Sequence, residues 1–132
     1  MSDQFKLEIV SPEKTFLEKD NVVEVVVPAV EGEMGILKDH ISIISFLKPG
    51  IIKVNLGNEE NSFYVDDGIL EFKNNTLSIL TSNIFDTKNY DKSKIQNMIK
   101  KAENDLINEK IDDQSRFIIS QKIDILKSLS LN

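Results

Sequence analysis

A change of hydrophobic period near residue 86 restricts this 132-residue chain to a β-rich body followed by helices. Before that point Phe5, Leu7 and Ile9 alternate with Lys6, Glu8 and Val10, the period of two of a half-buried strand. Strand candidates continue at Thr15–Leu17, Asn21–Val27, Ser42–Leu47, Ile51–Leu56, Ser62–Val65, Ile69–Phe72 and Thr76–Leu80. Ser11-Pro12, Pro49-Gly50, Gly57-Asn58, Asp66-Asp67-Gly68 and Asn74-Asn75 separate them with turn-forming residues. Short, evenly spaced strands with no helix-length pattern between them predict an antiparallel sandwich or barrel, not a parallel βαβ sheet.

After Asp86 the period becomes helical. Ile95, Met98, Ile99, Ala102 and Leu106 fall on one stripe, with Lys92, Lys94, Lys100, Lys101 and Glu103 around it. Asn89 is the expected N-cap, with Asp91 in the first turn, where a carboxylate suits the helix dipole. The polar link Asn108-Glu109-Lys110-Ile111-Asp112 interrupts the stripe, and Asp112 or Asp113 can cap a second helix. That helix presents Ile118, Ile119, Ile123, Ile125, Leu126 and Leu129. The expected fold class is α+β: an N-terminal antiparallel β-sandwich over residues 1–86, then an antiparallel two-helix hairpin over residues 87–132.

Composition narrows the chemistry. With no cysteine, disulfides and cysteine-based metal or nucleophile sites are excluded. No apolar stretch approaches the ~20 residues that a membrane helix needs, and the N-terminus lacks a basic-then-apolar export pattern. The expectation is a soluble, intracellular protein. Through Thr87 there are seven Lys/Arg against fifteen Asp/Glu; from Lys88 onward there are nine against seven. Such an acidic front half argues against nucleic acid, whose phosphates bind through basic residues.

The stretch Val27 to His40, reading VPAVEGEMGILKDH, carries the most information. A β-branched run stops at Pro28, which has no N–H for a ladder and marks a strand end or sheet edge. Glu31-Gly32-Glu33-Met34-Gly35 then predicts a tightly turned, acidic loop whose glycines permit positive φ. His40, the only histidine, lies beside Glu31, Glu33 and Asp39 in sequence, a set of donors able to hold a divalent ion or supply a base. Their spacing matches no standard metal loop, and no phosphate-cradling motif is present. The residues predict no catalytic centre, no metal and no cofactor. Two other classes remain as alternatives: a ligand-binding sandwich with an apolar cavity, and a metal-dependent enzyme at His40.

The order of motifs resembles the epsilon subunit of F-type ATP synthases, homologous to the mitochondrial delta subunit. Ile9-Val10-Ser11-Pro12-Glu13 matches that family's first strand and turn. Val27 to His40 is similar to its V-P-G-x-E-G-x-x-G-I-L-P-G-H hallmark, with Ala29 in place of glycine and Lys38-Asp39 in place of Pro-Gly. Leu47-Lys48-Pro49-Gly50, Tyr64–Glu71 and Thr76–Leu80 follow in the family's order, with Asp67 at a family glycine. The resemblance implies a non-catalytic rotor subunit in the central stalk, coupling proton flow to ATP synthesis at the cytoplasmic face of the bacterial inner membrane. It implies binding to the gamma subunit and to the membrane-embedded ring, with Glu31, Glu33 and His40 as contact residues. The helices would reach the catalytic alpha and beta subunits through Arg116, Lys122 and Lys127. Asp112, Asp113 and Asp124 oppose those charges, so inhibition of hydrolysis is expected to be weak. Many bacterial members bind ATP at I-D-x-x-R-A. Here Asp91 and Lys94 occupy the corresponding positions, and lysine lacks the planar fork of arginine.

Overall fold

The computed structural model describes residues 3–108 and 110–131, so Glu109 of the interhelical link lies outside the described residues. The chain divides into two compact units, Met1–Asp86 and Thr87–Asn132.

In the first unit the strands are β1 (Phe5–Val10), β2 (Thr15–Val22), β3 (Glu24–Ala29), β4 (Gly32–Leu37) and β5 (Ile43–Leu47). They continue as β6 (Gly50–Asn55), β7 (Glu60–Val65), β8 (Gly68–Lys73), β9 (Thr76–Leu80) and β10 (Ile84–Asp86). Hydrogen bonding runs in the order β10-β7-β6-β3-β5-β8-β9-β1-β2, with β4 joined to β3 alone. β2 and β7 lie far apart in that order, yet the rings of Phe16 and Phe63 meet edge to face at 5.5 Å. The sheet therefore folds over and closes on its own inner face. That face buries Leu7, Ile9, Val25, Val27, Ile36, Ile52, Leu70, Phe72, Leu77 and Ile79. Each such side chain contributes ~1.5–3 kcal/mol relative to exposure, so the alternation seen in the sequence is what drives closure.

Three differences from the sequence expectation have physical causes. The candidate strand Asn21–Val27 is two strands, broken at Val23, whose N–H leaves its own hairpin and donates to the Asn55 carbonyl at 2.8 Å. Pro28 does not end β3. Its carbonyl accepts from Lys48 N at 3.0 Å, so its donorless nitrogen faces the corner where β3 changes partner from β6 to β5. Finally, one pair in the otherwise antiparallel sheet is parallel: β1 on β9, from Lys6↔Thr76 to Val10↔Leu80. These strands are nearly the whole unit apart in sequence, so no tight crossover is needed to align them.

The second unit is a helix pair, α1 (Lys92–Leu106) and α2 (Asp113–Ser130). Ile95, Ile99 and Ala102 of α1 and Ile123 and Leu126 of α2 are buried. The Tyr90 hydroxyl donates to the Leu129 carbonyl at 2.8 Å, and Arg116 Nη1 to the Leu106 carbonyl at 2.7 Å. Each contact joins the start of one helix to the end of the other, the antiparallel arrangement. The cap of α1 is Asp91, not Asn89: its carboxylate accepts from Ser93 N at 2.9 Å. Asp112 caps α2 through Ser115 N at 2.7 Å, and that bond holds its carboxyl below the usual range.

Candidate functional site

The outer face of the sheet carries the most distinctive surface. Register places Phe46 opposite Ile69, Ile69 opposite Leu80, and Leu80 opposite Val10, one row across β5, β8, β9 and β1. Phe46 is 57% exposed, Ile69 44% and Leu80 49%. Ile44, two residues before Phe46 on the same face, is 66% exposed, and Val30 N donates to the Phe46 carbonyl at 2.9 Å, bringing the exposed Val30 alongside. The next row, Ile44–Glu71–Ser78–Glu8, is mostly polar and bounds the stripe. A shallow groove runs along the stripe between Pro12, Phe46, Ile69 and Leu80. A contiguous apolar patch with a polar border is the mark of a protein contact surface. Sequence reading passed over these residues, although Ile43-Ile44 and Ile69-Leu70 are apolar on both faces of their strands, which signals an outer face that is also covered.

The acidic loop expected from Glu31 to His40 is largely a strand. Only Val30 and Glu31 form the turn; β4 then pairs with β3 from Ala29↔Gly32 to Glu24↔Leu37. Gly32 has φ 136°, a conformation that favours glycine, whereas Gly35 has no positive φ and sits within the ladder. Six strand residues separate Glu31 from His40, about 20 Å at ~3.3 Å per residue. Glu31 and Glu33 therefore lie at one end of β4 and His40 beyond the other. Among the described residues no three His, Cys, Asp or Glu side chains gather as a metal site.

Each member has its own setting. Ser45 Oγ, buried on the inner face of β5, donates to both Glu31 carboxylate oxygens, at 2.7 and 3.0 Å. Glu33 is exposed opposite Pro28. His40 is half-buried, its ring edge-on to Phe72 at 5.8 Å. Its Nδ1 lies 2.7 Å from the Ile41 carbonyl, which can only accept, so Nδ1 carries the proton. These settings separate the two glutamates. Glu31→Lys removes the partner of a buried hydroxyl and should cost ~1–3 kcal/mol, whereas Glu33→Lys should stay within ~0.5 kcal/mol. Thermal melting of the two single variants checks this; equal melting points would contradict the Ser45 assignment.

Among the described residues Tyr64 is the strongly perturbed titrating group. It lies on the opposite side of β7 from Phe63 and Val65, is buried, and stacks on Phe85 at 5.0 Å. Burial, then the neighbouring Asp66 that accepts its hydroxyl proton at 2.7 Å, pushes the phenol far above its ordinary range. It stays neutral at any physiological pH and serves as a buried hydrogen-bond donor. In the helices Asp91 is occupied as a cap and Lys94 is exposed. Arg116 closes the end of α1, Lys127 pairs with Glu103 at 3.4 Å, and Lys122 is half-buried.

Residues 4–87 match the family model described as ATP synthase, Delta/Epsilon chain, beta-sandwich domain. An ATP synthase epsilon chain of Pelagibacter ubique is 61% identical over 130 residues, covering 98% of this chain and all of that one. A sodium ion specific ATP synthase epsilon chain of Propionigenium modestum is 30% identical over 118 residues, covering 89% and 84%. In the mitochondrial ATP synthase of Euglena gracilis a chain superposes with a TM-score of 0.76 at 20% identity, covering all of this chain and 84% of its own. In that of Tetrahymena thermophila the TM-score is 0.63 at 16% identity, covering 98% and 99%. At these identities the two superpositions establish a common fold.

Proposed function

The chain belongs to the ATP synthase epsilon-chain family, and from that premise we propose that its sandwich is a non-catalytic coupling piece of the rotor. The sandwich docks the gamma subunit on the β5–β8–β9 face and meets the ring of membrane subunits with the Val30–Glu33 end, at the cytoplasmic side of a bacterial membrane. The observation that carries this reading is the exposed row Phe46–Ile69–Leu80 on a closed, well-packed sheet. Torque transfer needs a body that does not deform between two interfaces, and a close-packed core supplies it. Glu33, exposed where Glu31 is bound to Ser45, is the better candidate for a polar ring contact.

The hairpin has a minor regulatory part in this proposal. Arg116 and Lys127, which would have to reach acidic segments of the catalytic subunits, are already engaged inside the helix pair. Releasing them for an exposed ion pair exchanges one contact for another of ~0.5 kcal/mol. Asp91 as a cap and Lys94 as a lone ammonium give ATP little purchase.

Co-expression with a gamma subunit tests the whole reading. The full chain and a chain ending at Asp86 should both co-purify with gamma, and the assembled enzyme carrying the shorter chain should hydrolyse ATP no more than about twofold faster, the equivalent of ~0.5 kcal/mol. A full chain that does not co-purify would refute the stalk assignment; a severalfold rise in hydrolysis would refute the minor part given to the hairpin.

A further inference from the structure

We propose that Asp39 and Asn75 are positioning residues that hold the β4–β5 connection, residues 38–42, in the shape that the gamma subunit meets. This inference rests on the stalk reading and adds to it the device that orders one part of the interface.

The connection runs directly into β5, whose exposed Ile44 and Phe46 belong to the face given to gamma, and it carries His40 and Ile41, the latter 76% exposed. Little within its own sequence orders it: His40 N bonds back to the Leu37 carbonyl at 3.1 Å, and the histidine ring bonds to the next residue. The His40 ring also rests edge-on against Phe72 at 5.8 Å, and a further restraint comes from thirty-six residues away. Asp39 N donates to Asn75 Oδ1 at 2.7 Å, and Asn75 Nδ2 donates to Asp39 Oδ1 at 3.0 Å. The two bonds form a closed pair in which one amide reads both the backbone and the side chain of a single residue.

Both partners are locked in unusual backbone conformations. Asp39 has φ 66°, and Asn74 and Asn75 have φ 51° and 56°. Two consecutive positive φ values make the two-residue turn between Lys73 and Thr76 a tight hairpin turn, for which asparagine is among the few suitable residues. Asn75 is also tied from the other side, because its carbonyl accepts from Lys6 N at 3.1 Å. The amide thus projects from a turn fixed by β8, β9 and the start of β1. Asp39 stands at the glycine of the Pro-Gly pair in the hallmark that this segment resembles. The φ explains why glycine suits that position, and the clasp explains what aspartate gains there.

An ordered loop binds more tightly than a loose one because its freedom has already been lost before docking. Asn75→Asp keeps the shape and the turn preference but sets a carboxylate against Asp39 and removes the Nδ2 donor. Asp39→Asn combined with Asn75→Asp restores both bonds with the amide and carboxylate exchanged. With full-length chain and purified gamma subunit, Asn75→Asp should dissociate roughly tenfold faster, and the exchanged pair should return to within about twofold of the original rate. Hydrogen exchange at the Asp39 amide should accelerate in the single variant and slow again in the pair. An unchanged dissociation rate in Asn75→Asp would overturn the proposal. So would a faster rate that the exchanged pair leaves uncorrected, since the carboxylate at position 75 and not the lost clasp would then be responsible. If the unaltered chain forms no complex with gamma, the stalk reading fails first. The clasp is then judged on hydrogen exchange, where an unmoved Asp39 amide would overturn it.

Discussion

Replacing Ile69 with aspartate should separate the chain from its gamma partner while the sandwich stays folded. Ile69 is the centre of the exposed row: Phe46 and Leu80 flank it on the neighbouring strands, and it lines the groove beside Pro12. A charge at the middle of an apolar contact must be desolvated with no partner, and removing or stranding one member of a buried pair costs ~3–5 kcal/mol. Three kcal/mol is already more than a hundredfold in Kd. The folded chain alone should notice the change little, because Ile69 points away from the core residues Leu70 and Phe72 and is 44% exposed. Circular dichroism and melting separate the two effects from binding measured by co-purification. Retention of gamma within threefold by a folded Ile69→Asp chain would remove this face from the interface. Glu71, two residues along on the same face and in the polar row, supplies the control: Glu71→Gln should leave gamma binding almost unaltered.

The sandwich was readable because its strands alternate and its turns are made of Asn, Asp, Gly and Pro. What stayed hidden follows from long-range pairing. Glu-Gly-Glu-Met-Gly has weak strand character by itself, and it becomes β4 because the β-branched run of β3 offers a ladder on its free side. β10 is only Ile84–Asp86, too short to carry a period, and it exists by pairing with β7. Helix existence was clear from the stripe, but the N-cap was misplaced by two residues because Asn89 and Asp91 are equally good cap types and only the bond to Ser93 distinguishes them. The candidate residues were readable as a segment, but their separation in the fold was not. Family resemblance pointed to Glu31, Glu33 and His40, while the strand between them holds the two ends apart. Ser45 holding Glu31 and Asn75 holding Asp39 are contacts across fourteen and thirty-six residues, and no local pattern announces either.

Gly68→Ala should be among the most damaging single-methyl additions to the sandwich. Two independent effects act at this one atom. Gly68 opens β8 with φ 155°, in the region where L residues are strained, a cost of order 1–3 kcal/mol. A Cβ there would also stand 2.7 Å from the Leu80 carbonyl oxygen, 3.2 Å from Leu47 Cδ1 and 3.3 Å from Thr81 Cβ. The carbonyl belongs to the backbone at the end of β9 and cannot swing aside as a side-chain tip can, and overpacking of this kind costs ~1–3 kcal/mol. Thr81 is held as well, its hydroxyl donating to the Asp67 carbonyl at 2.7 Å, so relieving the clash would break a buried bond. The sum is on the order of 2–6 kcal/mol, against a whole-domain stability of ~5–15 kcal/mol. For a domain of this size each kcal/mol lowers the midpoint by ~4–8 °C, so Gly68→Ala should melt at least about 10 °C lower. Gly32→Ala isolates the first effect: its φ is 136°, yet nothing lies within 4 Å of the added Cβ. It should therefore lose about half as much or less. Equal losses at the two glycines would show that backbone strain alone governs both, and that the contact with the Leu80 carbonyl relaxes freely.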